Sequence, residues 1–224
     1  MLKTPLIIVN LKTYEKGFGN LGLALCKDME SVAQESGVCI AAAVNTVDIF
    51  AYSQATNIPI LAQHVDPINF GAHTGHSLPE ATSNAGAIGT LINHAERQID
   101  EDTIASTISR SKDSNLTTVL CTADIDKTIS GAKLEPDMIA IEPPELIGGD
   151  ISVSTANPEI ISETVSKVSE ISNNVKILCG AGVKTQTDVS KAFELGVDGI
   201  LLASGVVLSD NPRKTLQELV LGIV

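Results

Sequence analysis

Aromatic side chains are scarce in this chain: tryptophan is absent, and only 2 tyrosines and 4 phenylalanines occur among 224 residues. A hydrophobic core must therefore be built from aliphatic side chains, which is typical of parallel α/β sheets. No apolar run approaches the roughly 18 residues that span a bilayer, and the apolar run at the N-terminus is too short for a signal peptide. The sequence thus predicts a globular α/β protein with no membrane partner.

Basic residues are also few, because 15 Lys and Arg stand against 27 Asp and Glu, which gives a net charge of −12. This balance argues against nucleic acid and anionic membrane surfaces as the main partners. Any anionic substrate must be held by local groups that overcome the field of the whole protein.

Cysteine pairs of the CxxC type are missing. Three of the four cysteines lie in apolar, strand-like runs, where a free thiol behaves as a small hydrophobic group. We expect reduced cysteines and a cytoplasmic protein; the four are Cys26, Cys39, Cys121 and Cys179.

Short apolar, β-branched runs alternate with segments of helical composition along the whole chain. About eight such runs fit a closed (β/α)8 barrel better than an open doubly wound sheet, and a chain of this length is expected to form one domain, residues 1–224. The predicted strands are Leu6–Asn10, Val38–Val44, Ile58–Gln63, Ala87–Asn93, Thr117–Thr122, Met138–Ile141, Lys176–Cys179 and Gly199–Ala203. The predicted helices include Leu21–Gln34, Asp100–Ser111, Pro158–Ile171, Asp188–Leu195 and Pro212–Leu221.

Barrels of this kind carry their chemistry at the C-terminal ends of the strands, so the residues there are candidates for the site. They are Asn10 and Lys12 after the first strand, Asn93, His94 and Glu96 after the fourth, Glu142 after the sixth, and small-residue turns at residues 180–183 and 203–205. By itself, Lys12 is better explained as a solvated charge, and His94 as a hydrogen-bonded structural histidine.

The stretch from Met138 to Asp150 predicts a strand that ends at an acid under a hinged loop. Glu142 follows the apolar run, rigid prolines come directly after it, and Gly148 and Gly149 close the segment. A carboxylate under such a lid is a candidate general base, although an acid that caps a turn is equally compatible with the stretch.

The two small-residue turns favour a phosphate ligand, since many barrels bind phosphate with backbone N–H groups after strands seven and eight. The second turn leads towards a helix-start signal, Ser209-Asp210-Asn211-Pro212. His64, His73 and His76 loosely resemble a metal set, but no acid cluster supports them, and we expect neither a metal nor a cofactor.

With these residues in place, the sequence resembles the triosephosphate isomerases nearly from end to end. The segments that carry the resemblance are Val9–Lys12, Gly71–Gly75, Ile92–Arg97, Ile141–Gly148, Cys179–Val183 and Asp198–Ser204. Each match is weak alone, whereas six in the right order at the right strands are specific.

The resemblance implies an isomerase that interconverts dihydroxyacetone phosphate and D-glyceraldehyde 3-phosphate. Glu142 would be the base, His94 the electrophile, and Asn10 and Lys12 substrate contacts. Backbone contacts to the phosphate would come from Ile147 or Gly148, Gly182, Ala203 and Ser204. This family is itself the reference case for a carboxylate base paired with a neutral histidine whose pKa is lowered by a helix N-terminus, so the resemblance implies the same pairing here.

The chain also departs from the family pattern. Glu145 and Leu146 stand where many members have a lid tryptophan, and residues 179–182 replace a Tyr-Gly-Gly-Ser turn, so a serine contact is lost. With the short chain, these changes resemble the archaeal branch, which implies a homotetramer, or else a dimer, with the loop Phe70–Pro79 at the interface.

The residues alone leave two alternatives open. Another phosphosugar isomerase or epimerase on the same barrel would usually need a metal or a second acid at a strand end. A non-catalytic phosphometabolite-binding barrel would keep the glycine turns without needing the pair Glu142 and His94.

Overall fold

The computed structural model describes residues 2–143 and 153–223. Over these residues the predicted fold is confirmed: eight parallel strands pair in sequence order, and β1 pairs with β8 to close the barrel. The strands are β1 Leu6–Asn10, β2 Cys39–Val44, β3 Ile60–Ala62, β4 Gly89–Ile92, β5 Thr117–Thr122, β6 Met138–Ile141, β7 Lys176–Cys179 and β8 Gly199–Leu202.

Helices follow the strands and cover the outside of the barrel. The α-helices among the described residues are α1 Gly19–Ser36, α2 Ile49–Ala55, α3 Pro79–Asn84, α4 Glu101–Asp113, α5 Ile125–Ala132, α6 Val153–Ala156, α7 Pro158–Ile171, α8 Gln186–Glu194, α9 Ser204–Val207 and α10 Pro212–Val220. In this set no helix is both long and apolar enough to cross a membrane.

Alternate residues of each strand enter two different cores, as the two-residue period of a strand requires. In β1, Leu6 and Ile8 point into a core inside the barrel, whereas Ile7 and Val9 pack outwards against the helices. The next inward position is Asn10. Strand β1 is therefore apolar up to its C-terminal end, where the polar Asn10 lines the pocket at the barrel mouth.

Local signals explain where several helices begin and end. Gly37 ends α1 in the left-handed conformation, with φ +74°, and its N–H reaches the carbonyl of Ala33. Asn211 caps α10 as its sequence suggested, by accepting from the Lys214 N–H, whereas the Asn157 side chain makes no capping bond at α7.

The structure differs from the prediction in two ways. Some elements begin and end at other residues, and several short helices were not predicted. The third strand, predicted over Ile58–Gln63, is confined to Ile60–Ala62, and an irregular segment from residue 63 to 78 follows it. Helices α2, α3 and α5 were absent from the predicted set, since they span only 6 to 8 residues and give little periodicity.

Candidate active site

One pocket at the C-terminal ends of the strands gathers most of the site residues that the sequence predicted and the structure describes, whereas the candidates Asn93 and Glu96 line neighbouring pockets. Its lining comes from five different strand ends, which the closed barrel brings to one mouth. The predicted residues found there are Asn10, Lys12, His94, Glu142, Gly182, Ala203 and Ser204.

Glu142 directly follows β6, and its N–H is held by the carbonyl of Thr122 on the neighbouring strand at 2.8 Å. The side chain is only 4% exposed, and Oε2 has no hydrogen-bond partner among the described residues. Burial raises the pKa of this carboxyl group to about 7, while the Cys121 thiol and the Lys12 ammonium beside it act in the opposite direction. A carboxyl group with such a pKa can both accept and return a proton near neutral pH.

His94 faces Glu142 across the pocket, with Nε2 3.7 Å from Oε1 of the carboxylate. The other ring nitrogen, Nδ1, accepts a hydrogen bond of 3.1 Å from the backbone N–H of Glu96. Because a backbone N–H can only donate, Nδ1 carries no proton, and in the neutral ring the proton sits on Nε2. His94 therefore presents an N–H donor to the pocket.

The pKa of His94 is lowered by burial first and by the Lys12 charge second, against an opposing effect of Glu96. The expected helix N-terminus is not what lies beside the ring. Residues 94–97 form a single turn, closed by the Arg97 N–H and the carbonyl of His94, and α4 begins only at Glu101. One turn thus supplies the N–H that a helix was expected to provide.

Lys12 reaches the pocket from an unusual backbone conformation, with φ +47°, which costs about 1–3 kcal/mol for a residue other than glycine. Three hydrogen bonds hold it there. Its N–H donates to Asn10 Oδ1 at 3.0 Å, and its carbonyl accepts from Asn45 Nδ2 and Gln63 Nε2, both at 3.0 Å. The ammonium group is paired with Glu96 Oε1 at 2.7 Å.

Comparisons with known proteins show the family of this chain. The family model described as triosephosphate isomerase matches residues 5–220. The chain belongs to the triosephosphate isomerase family. It is 46% identical over 218 residues to the triosephosphate isomerase of Methanobacterium bryantii, covering 97% of this chain and 96% of the relative. It is 47% identical over 215 residues to that of Methanocaldococcus jannaschii, covering 96% and 98%.

A crystal structure of the triosephosphate isomerase from Bartonella henselae superimposes with a TM-score of 0.76, covering 95% of this chain and 97% of that one. At 16% sequence identity this likeness shows the barrel fold alone. The archaeal relatives support the resemblance to the archaeal branch.

The turn after β7 in this triosephosphate isomerase family member needs glycine at two positions, for its backbone conformation and for its close packing. Gly182 has φ +70°, and Gly180 lies so close to the base that an added Cβ would stand 2.4 Å from Glu142 Cγ. The turn after β8 leads directly into α9, which begins at Ser204. The predicted helix start at Ser209–Pro212 opens α10 instead, and that segment does not line the pocket.

Two predicted site residues, Ile147 and Gly148, lie outside the described residues, as does most of the predicted lid. The three histidines of the loose metal set make different contacts and do not form one group. His64 pairs with Asp66 at 3.0 Å, whereas the rings of His73 and His76 meet edge to face, with centroids 6.0 Å apart. Within residues 2–143 and 153–223, no cluster of three possible metal ligands occurs.

Sequence reasoning missed three contributors to the pocket or to its support: Gln63, Lys184 and Cys121. Gln63 is the last residue of a predicted strand, and this position at a strand end was the one sign in the sequence that it could support the site. Lys184 stands two residues after Gly182, so an inspection of charges beside the phosphate turn would have found it. The contact of Cys121 with Glu142 depends on strand pairing between β5 and β6, which no local pattern encodes.

Proposed function

We propose that Glu142, His94, Lys12 and Asn10 carry out the reaction named by the family, the interconversion of dihydroxyacetone phosphate and D-glyceraldehyde 3-phosphate, a step of glycolysis and gluconeogenesis. The isomerase class follows from the family itself. The assignment of roles rests on one observation: a buried carboxylate and an imidazole N–H face each other at 3.7 Å in the pocket bounded by the glycine turns.

Glu142 takes a proton from the carbon next to the substrate carbonyl, exchanges it in part with solvent, and delivers a proton to the former carbonyl carbon, while the hydroxyl proton moves from one oxygen of the enediolate to the other. Removal of this proton places negative charge on the carbonyl oxygen, so a donor aimed at that oxygen lowers the barrier. The Nε2–H of His94 is that donor. The neutral imidazole keeps this N–H, because its other nitrogen, Nδ1, accepts a hydrogen bond. Lys12 and Asn10 orient the substrate from the other side.

Backbone N–H groups of Gly182, Ala203 and Ser204 bind the phosphate, and Ile147 or Gly148 adds a contact from the lid. This part of the proposal is supported by the pocket lining and by the positive φ of Gly182, which turns successive backbone groups towards one side. Burial of the reacting carbons and a held phosphate suppress loss of phosphate from the enediolate.

A coupled assay of the purified protein with D-glyceraldehyde 3-phosphate, with and without a chelator, tests the function. We expect turnover that a chelator leaves unchanged, since no step calls for a metal or cofactor. Activity that disappears with the chelator would favour the metal-dependent sugar phosphate epimerases instead.

We further propose that the residues 1–224 act as one domain and assemble as a homotetramer, or else a dimer, with the loop Phe70–Pro79 at the interface. Phe70 is 75% exposed, and the segment 69–76 around it is exposed throughout. The Arg110 guanidinium fixes the base of this loop by donating to the carbonyl of Ile68 at 3.0 Å. A fixed loop with an apolar tip is typical of an interface.

Light scattering of the wild-type chain and of Phe70→Asp tests the assembly. The substitution should reduce the mass towards that of one 23.4 kDa chain while the circular dichroism spectrum stays the same. An unchanged mass would remove the loop from the interface.

A cytoplasmic location is the remaining proposal, supported by the glycolytic reaction and by four free cysteines, which suit a reducing compartment. Recovery of the protein in another cell fraction would contradict it.

A further inference from the structure

Two lysines, Lys12 and Lys184, are among the described residues that line the pocket. Lys184 lies outside the set that the family resemblance implied. It stands beside the two turns assigned to the phosphate, because it follows Gly182 by two residues and lies against Gly205, the neighbour of Ser204. A Cβ added to Gly205 would be 3.5 Å from Lys184 Cγ and 3.8 Å from its Cα.

The backbone of Lys184 is fixed by the start of α8. Its N–H donates to Asp188 Oδ2 at 3.1 Å, and the same carboxylate accepts from the N–H and hydroxyl of Thr185 in a capping box. The stem of Lys184 therefore leaves a rigid position at the rim of the pocket, which reduces the entropy lost when the side chain binds an anion.

The charges around the pocket show why a second cation matters. Lys12 is matched by Glu96 at 2.7 Å, and ionised Glu142 adds a further negative charge. A second lysine adds positive charge beside the phosphate turns, in a chain whose net charge of −12 would repel a phosphate dianion.

We propose that Lys184 is a second substrate-binding cation, which makes the site selective for a doubly charged phosphate group. This inference rests on the proposed function and deepens it by naming the source of charge selectivity. The phosphate carries the same charge in substrate and transition state, and we assign to Lys184 a contact of equal strength in both, so its loss raises KM and leaves kcat nearly constant.

The test compares Lys184→Gln with Lys191→Gln, a matched loss of one positive charge on α8 outside the pocket lining. We expect Lys184→Gln to raise KM and the inhibition constant of inorganic phosphate by about tenfold, as for loss of one charge-assisted contact. The kcat should change less than about twofold, and added salt should slow the variant less than the wild type. Lys191→Gln should behave as the wild type does, and Lys184→Arg should restore most of the phosphate affinity.

Equal effects of Lys184→Gln and Lys191→Gln would mean that Lys184 acts only through the net charge of the protein, which would overturn the proposal. A fall in kcat with constant KM would also overturn it. If the wild type had no isomerase activity, the proposed function would fail by itself. Titration calorimetry with inorganic phosphate would still decide the role of Lys184, since a cation of the phosphate site must weaken phosphate binding when it is removed.

Discussion

Oε1 of Glu142 lies 3.7 Å from Nε2 of His94, and both side chains are almost fully buried. Burial acts on the two groups in opposite directions: it raises the pKa of the carboxyl group to about 7 and lowers the pKa of the imidazole. Each group is thereby moved towards its neutral form. A base with a pKa near neutrality and a neutral N–H donor are the pair that proton transfer next to a carbonyl needs.

The pH dependence of kcat/KM should report the carboxyl group of the free protein. Because Glu142 must be ionised to act as a base, kcat/KM should be constant above about pH 7 and should fall tenfold for each pH unit below it. Initial rates across a range of buffers measure this limb. A rate that stayed constant down to pH 5 would mean that the buried carboxyl group is not the base.

The same raised pKa lowers the stability of the protein at high pH. The folded form binds the proton of Glu142 more tightly than the unfolded chain does, so this group reduces stability as the pH rises from the unfolded pKa to about 7. Glu142→Gln should therefore raise the free energy of unfolding above pH 7, by at most about 3 kcal/mol, and this gain should disappear near pH 4.5. Urea denaturation at both pH values measures the difference. A variant that was less stable than the wild type at pH 8 would contradict it.

Gly180 sets the position of the base, because an added Cβ would stand 2.4 Å from Glu142 Cγ and 3.0 Å from the carbonyl oxygen of Ile141. Gly180→Ala should displace the carboxylate, with a loss of about 10²-fold in kcat and about 1–3 kcal/mol in stability. Steady-state kinetics and thermal unfolding measure these effects.

A double variant separates this steric contact from general overpacking. Glu142→Ala removes the atoms that clash, so it should recover a large part of the stability that Gly180→Ala loses. Gly131→Ala is the matched control: its Cβ would meet Leu120 at 2.6 Å, and its effect should simply add to that of Glu142→Ala. Additive effects at Gly180 as well would show that Glu142 is not the group displaced.

The fold was predictable because its signals are local and repeat along the chain. The apolar runs from Leu6 to Leu202 show where strands form, and a polar residue at a strand end, such as Asn10, indicates the barrel mouth without tertiary information. Supporting contacts were not predictable in this way. The carbonyl of Lys12 meets Asn45 and Gln63, residues 33 and 51 positions away, only after three strands have paired.

Gln63 is expected to hold Lys12 and Asn10 in position from behind the pocket. Its amide nitrogen is 3.0 Å from the carbonyl of Lys12 and 3.3 Å from Asn10 Oδ1. Gln63→Met keeps the volume and removes these hydrogen bonds, so kcat/KM should fall by about tenfold, as expected from the loss of partly buried hydrogen bonds. Gln217→Met is the control, since Gln217 is exposed and bonded to Glu35 on α1. An unchanged kcat/KM in Gln63→Met would remove this residue from the positioning network.

The central claim is that Glu142 transfers a proton between neighbouring carbons of a triose phosphate. Turnover in D2O, followed by proton NMR, tests it most directly, because a base that exchanges with solvent places deuterium on the carbon it reprotonates. We predict that the wild type gives deuterated product and that Glu142→Gln loses turnover and exchange together, by roughly 10²- to 10⁴-fold, while its circular dichroism spectrum is unchanged. Product free of deuterium, or normal exchange by Glu142→Gln, would contradict the account.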